Sequence, residues 1–166
     1  MGGNKKKGKS APQATAVGVS ADAISIVTTV AGDGASIPMD GDEVTVHYVG
    51  SLVSDGSMFD SSRKKKMPFV FKLGSGAVIK GWDMGVAQMS LGQRVKLKIS
   101  SPAAYGAAGC TDKVNASGTG VIPPNADLLF GVELLDINHK KSVAALAKYR
   151  QTLDLLLLLL LMLKVR

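Results

Sequence analysis

VIKGWDMGVA (Val78–Ala87) decides the fold, because it is the only helix-like stretch in the central body of the chain. It is short, and it carries Gly81 and Gly85. Each glycine costs up to about 1 kcal/mol against Ala in a helix interior. Intrinsic propensity therefore cannot hold this helix, and packing against something else must.

What surrounds it reads as strand. Val44, Val46 and Tyr48 alternate with Glu43, Thr45 and His47; Phe69, Phe71 and Leu73 alternate with Val70 and Lys72. Val95, Leu97 and Ile99 alternate with Arg94, Lys96 and Lys98, and Leu128, Phe130, Val132 and Leu134 form the apolar set of a last strand. Period-two patterns with one polar face specify an antiparallel sheet that is wet on one side. The segment 78–87 is the candidate cover for the other side. Asp33-Gly34, Asp40-Gly41 and Asp55-Gly56 mark turns between strands. The fold class is α+β, an antiparallel sheet packed on one short helix.

At 166 residues the chain fits one domain with tails. Residues 1–23 are Gly, Lys, Ser and Ala with little apolar periodicity and read as a flexible basic arm. Residues 24–139 form the domain. Residues 140–166 change character: Ser142 can cap a helix that ends in the run Leu155–Leu161, Met162 and Leu163. The net charge of +7 belongs to the tails, which leaves Ser10–His139 at −2. A basic groove on the domain is not expected, and aromatics for base stacking beside the N-terminal lysines are missing, so no nucleic-acid partner is assigned. One cysteine, Cys110, excludes an internal disulfide and cannot by itself make a zinc site. The start MGGNKKKGKS has no apolar stretch after its lysines and does not read as a secretory signal.

Six short blocks recur around the helix: VHYVG (Val46–Gly50), FDSS (Phe59–Ser62), VIKGWD (Val78–Asp83), GQR (Gly92–Arg94), AYGAAG (Ala104–Gly109) and VIPPNADLLF (Val121–Phe130). None matches a nucleophile, metal or phosphate-loop pattern. A pocket of Tyr, Phe, Trp, Val and Ile with few polar groups suits an apolar ligand such as a prolyl ring. In order and wording the blocks resemble the FK506-binding-protein family of peptidyl-prolyl cis-trans isomerases, over roughly Val27 to Ile137.

The resemblance implies a curled antiparallel sheet around one short helix, and isomerisation of X-Pro bonds in peptides and proteins with neither cofactor nor metal. It implies a pocket lined by Tyr48, Phe59, Phe69, Val78, Ile79, Trp82, Tyr105, Ile122 and Phe130, with Trp82 as the floor. The N–H of Ile79 and the hydroxyl of Tyr105 would hold ligand carbonyls, and Asp60, hydrogen-bonded by Tyr48, would face the amide. Asp60, Tyr105, Phe59 and Trp82 carry the catalytic expectation, and macrolides of the FK506 and rapamycin type are the expected inhibitors. Read singly, Phe69, Phe130 and Val78 are core filling, Trp82, Tyr48 and Tyr105 are buried side chains with satisfied tips, and Asp60 closes a turn. The joint match favours the site. His47 receives no catalytic role.

Two departures stand out. Cys110–Gly120 replaces a turn of about three residues, so the extended loop is expected to alter which ligands bind. Lys65 occupies a position that is often Arg beside Asp60, and Arg binds carboxylates bidentately where Lys cannot. The run Arg63–Lys66 otherwise reads as a solvated loop, with contact to an acidic partner as the alternative. The alternative to an enzyme is a non-catalytic module of the same fold that docks a protein partner. The leucine run spans roughly 20 Å as a helix, short of the about 30 Å hydrocarbon core. It is expected to self-associate or to rest on a membrane surface, with a cytoplasmic protein as the leading localisation and a membrane-associated one as its alternative.

Overall fold

The computed structural model describes residues 21–111, 121–138, 140–141 and 151. Residues 1–20 of the N-terminal arm, all but the first two residues of the loop Cys110–Gly120, and all but Gln151 of the expected C-terminal helix lie outside these residues. Seven strands are described: β1 (Ile24–Val30), β2 (Glu43–Leu52), β3 (Met58–Ser61), β4 (Phe69–Lys72), β5 (Arg94–Ile99), β6 (Leu128–Ile137) and β7 (Lys140–Lys141). One α-helix, α1 (Lys80–Val86), lies between β4 and β5. Every pairing is antiparallel, in the order β1-β5-β6-β2-β3, with β4 also on β2 and β7 on β6.

The four alternating segments fall on β2, β4, β5 and β6, and their apolar residues Val44, Val46, Phe71, Val95, Leu97, Ile99, Leu128, Phe130, Val132 and Leu134 are buried. The expected turns form as well. Asp33 Oδ1 accepts the N–H of Ala35 and Ser36, and Asp55 Oδ1 accepts that of Ser57 between β2 and β3. The body extends slightly beyond residues 24–139. Ala23 is buried, its carbonyl accepts the Ser100 N–H at 2.8 Å, and Lys140 and Lys141 pair with Ile137 and Asp136.

The helix is two residues shorter at its start than the segment 78–87, and its glycines face the sheet. A Cβ at Gly85 would lie 2.6 Å from Leu97 Cδ2, and one at Gly81 would strike Ile99 Cγ2. The two glycines one turn apart thus let α1 settle directly onto β5. Their low helix propensity is outweighed by close packing against buried Leu97 and Ile99. Asp83 in the first turn accepts the Gly74 N–H at 2.9 Å, which fixes the connection that delivers Val78 and Ile79 to the concave face. Burial raises the Asp83 carboxyl above its ordinary range, against the opposing hydrogen bonds from the Gly74 and Gly76 N–H groups.

Candidate functional site

Trp82 projects from α1 into the concavity and is met by rings from three strands. Its centroid lies 5.1 Å from Tyr48 on β2, 5.3 Å from Phe130 on β6, and 5.9 and 5.7 Å from Phe69 and Phe71 on β4. Tyr48, Phe130 and Phe69 each stand nearly perpendicular to the indole, the T-shaped arrangement favoured by the opposed charge of ring faces and edges. Phe59 continues the wall, 5.6 Å from Phe130. Gly50 makes that contact possible, since a Cβ there would lie 2.7 Å from the ring of Phe130 and 2.8 Å from that of Phe59.

Phe59 and Asp60 are adjacent in sequence, so a regular strand would point them to opposite faces. A β-bulge resolves this. Gly50 pairs with Asp60 and Ser51 with Met58, leaving Phe59 as the extra residue. Bulges re-aim side chains in this way. Here the Phe59 ring joins Phe130, while Asp60 Oδ2 accepts the Tyr48 hydroxyl at 2.6 Å. Asp60 Oδ1 accepts the Ser61 N–H at 2.7 Å and lies 2.5 Å from Lys65 Nζ. Burial, then the bond to Asp60, pushes the Tyr48 phenol well above the ordinary tyrosine value, so it remains a neutral donor.

Tyr105 sits between two one-turn 3-10 segments, Ser101–Ala103 and Gly106–Ala108. Burial raises its phenol first, followed by the fields of Cys110 and Asp60. Ile122 is 1% exposed and forms a two-bond bridge with Cys110, N–H to O at 2.8 and 2.9 Å. This bridge closes the base of the inserted loop. Val78 and Ile79 are buried just ahead of α1, and no acceptor among the described residues is paired with the Ile79 N–H.

The sequence of the family described as FKBP-type peptidyl-prolyl cis-trans isomerase matches residues 34–135, the span that holds every one of these side chains. The chain belongs to that family. It is similar to peptidyl-prolyl cis-trans isomerase Fkbp12 of Drosophila melanogaster, 50% identical over 114 residues that cover 69% of this chain and 97% of the fly protein. It is equally similar to peptidyl-prolyl cis-trans isomerase FKBP1A of Xenopus laevis, 50% over 112 residues, 68% of this chain and 95% of the frog protein. FK506-binding protein 1 of Dictyostelium discoideum is 54% identical over 100 residues, 60% of this chain and 85% of that protein.

Within this FKBP-type body Tyr48, Phe69 and Phe130 meet around Trp82, Phe59 joins them through Phe130, and Tyr105 is half-buried against the same core. Phe71 was not among the site residues expected from sequence, although it packs on Trp82 and stacks on Phe69 at 5.6 Å. Its alternation with Phe69 on β4 was the available signal. The loop Arg63–Lys66 is exposed at all four residues, in line with its solvated reading, and two of its cations are also paired. Arg63 pairs with Glu133, and Lys65 pairs with Asp60. His47 lies on the opposite face, its Nδ1 2.9 Å from Ser62 Oγ.

Proposed function

We propose that this isomerase acts on X-Pro amides in the aromatic bowl over Trp82. The observation that carries the reading is the combination of nearly perpendicular rings around one indole with a single carboxylate, Asp60, at their margin. The prolyl ring lies on Trp82, walled by Tyr48, Phe59, Phe69, Val78, Ile79, Ile122 and Phe130. The Ile79 N–H and the Tyr105 hydroxyl hold peptide carbonyls.

Rotation about the X-Pro bond breaks amide resonance against a barrier of roughly 18–20 kcal/mol. No covalent step is required. The twisted amide has a less polar carbonyl and a more basic nitrogen, so an apolar wall favours it over the planar ground state. A millionfold acceleration needs only about 8 kcal/mol of such preference. Asp60 contributes through its field, with no proton transferred.

Macrolides of the FK506 and rapamycin type compete for the same bowl, and the loop Cys110–Gly120 tunes which larger ligands enter. The protein works in the cytoplasm. No helix among the described residues is long and apolar enough to cross a membrane, and the segment 140–166 serves self-association or attachment to an anionic membrane surface. The test is exchange spectroscopy on a short peptide with Leu before Pro. The chain should accelerate cis-trans exchange, and Asp60→Asn should slow it. Spontaneous exchange in the presence of folded protein would overturn the reading.

A further inference from the structure

Ser62 lies one residue past the end of β3, is 2% exposed, and lines no part of the bowl, yet the ladder depends on it. An antiparallel pair ordinarily exchanges two bonds, each residue giving an N–H and accepting at its carbonyl. Ser62 N–H does donate to the Tyr48 carbonyl at 3.1 Å. Its own carbonyl has turned away and accepts the Met67 N–H at 3.2 Å. The Tyr48 N–H therefore donates to Ser62 Oγ instead, at 2.8 Å. A side-chain hydroxyl stands in for a backbone carbonyl. This substitution lets β3 leave the sheet at once, so that the next turn folds Lys65 back over Asp60, without orphaning the Tyr48 N–H.

The hydroxyl has one proton and two lone pairs. One lone pair takes the Tyr48 N–H. The proton goes to His47 Nδ1 at 2.9 Å or to the Tyr48 carbonyl at 3.3 Å, according to the histidine tautomer. In either case the bond to Tyr48 N–H persists. Tyr48 in turn donates its phenol to Asp60 at 2.6 Å, and Asp60 is only two residues upstream of Ser62. Both members of the Tyr48–Asp60 pair thus hang on one buried hydroxyl.

We propose that Ser62 is a positioning residue for the reaction: its hydroxyl fixes the Tyr48 backbone, and through it the phenol that holds Asp60 toward the amide. This rests on the reading of Asp60 given above. A group misplaced by a fraction of an ångström loses transition-state stabilisation while leaving ground-state binding in place.

The test uses the full chain and a short Leu-Pro peptide. Ser62→Ala should lower kcat about tenfold with KM within about twofold. In a Tyr48→Phe background the same change should have little further effect, because the phenol being positioned is gone. Ser62→Cys, similar in size with a weak sulfur acceptor, serves if the alanine variant fails to fold, and its kcat should fall several-fold. Full kcat in a folded Ser62 variant, or an equal loss on top of Tyr48→Phe, would overturn the proposal. Full kcat in Asp60→Asn would instead remove the site reading on which it stands.

Discussion

Asp60 and Glu133 are two buried carboxylates on opposite faces of one sheet, and they are stabilised in contrasting ways. Glu133 lies on the convex face opposite His47, held by the guanidinium groups of Arg63 and Arg94. Burial alone would raise its carboxyl, but those two cations outweigh it and hold the group below its ordinary range. Its charge is consumed in tying the 63–66 loop to β5 and β6. Asp60 is held by a phenol, a backbone N–H and one ammonium. Two of its three partners are neutral donors that stabilise the carboxylate without cancelling its charge. The convex face uses a carboxylate as a fastener, whereas the concave face, in the function proposed above, keeps one as a source of field.

The contrast is tested most severely on the concave side. Trp82→Ala should cost about 3–5 kcal/mol of unfolding free energy, as truncation of a large buried ring does, and should abolish peptide binding. Chemical denaturation with a parallel exchange assay measures both, and a midpoint unchanged from the parent would show that Trp82 is no floor. Gly85→Ala should destabilise by about 1–3 kcal/mol through overpacking against Leu97, even though alanine is the better helix former. A stabilised variant would mean that α1 does not depend on close approach.

The two carboxylates can then be set against each other. Asp60→Asn should slow exchange by about tenfold, equivalent to about 1.4 kcal/mol of barrier, with the fold retained. Glu133→Gln should leave exchange unchanged and cost about 1 kcal/mol of stability, a modest value because Arg63 and Arg94 are 46% and 50% exposed and solvent screens them. Reversed phenotypes would break the comparison. The smallest effect is in pH. A carboxyl with a depressed folded pKa contributes stability that is present above its unfolded value, 4.5 for Glu133, and lost as pH falls through the folded one. The stability gap between the parent and Glu133→Gln should therefore narrow on acidification below that value. A gap constant to the acid limit of the folded state would remove Glu133 as a fastener.

Much of this architecture is readable in sequence wherever side chains alternate. β2, β4, β5 and β6 each bury one apolar face and wet the other, so period two identifies them. β1 is hidden because ISIVTTV is β-branched or small and polar without clean alternation, and β3 because four residues with a bulge show no period. The bowl is legible through its aromatic blocks. The fasteners are not: Glu133 is 70 residues from Arg63 and 39 from Arg94, and only the sheet register brings them together. The reason for Gly81 and Gly85 is likewise tertiary, lying in Ile99 and Leu97 rather than in the helix.

The bridge between Cys110 and Ile122 gives the molecule a socket. Two backbone hydrogen bonds fix the separation and direction of the chain ends at that point, and both bridge residues are buried. Loop-closure cost grows only as the logarithm of length, about 0.6 kcal/mol per doubling. A foreign peptide epitope, a spectroscopic tag or a randomised library spliced between these two residues would thus be displayed beside the bowl at small expense in stability, making the position a natural port for engineering ligand choice.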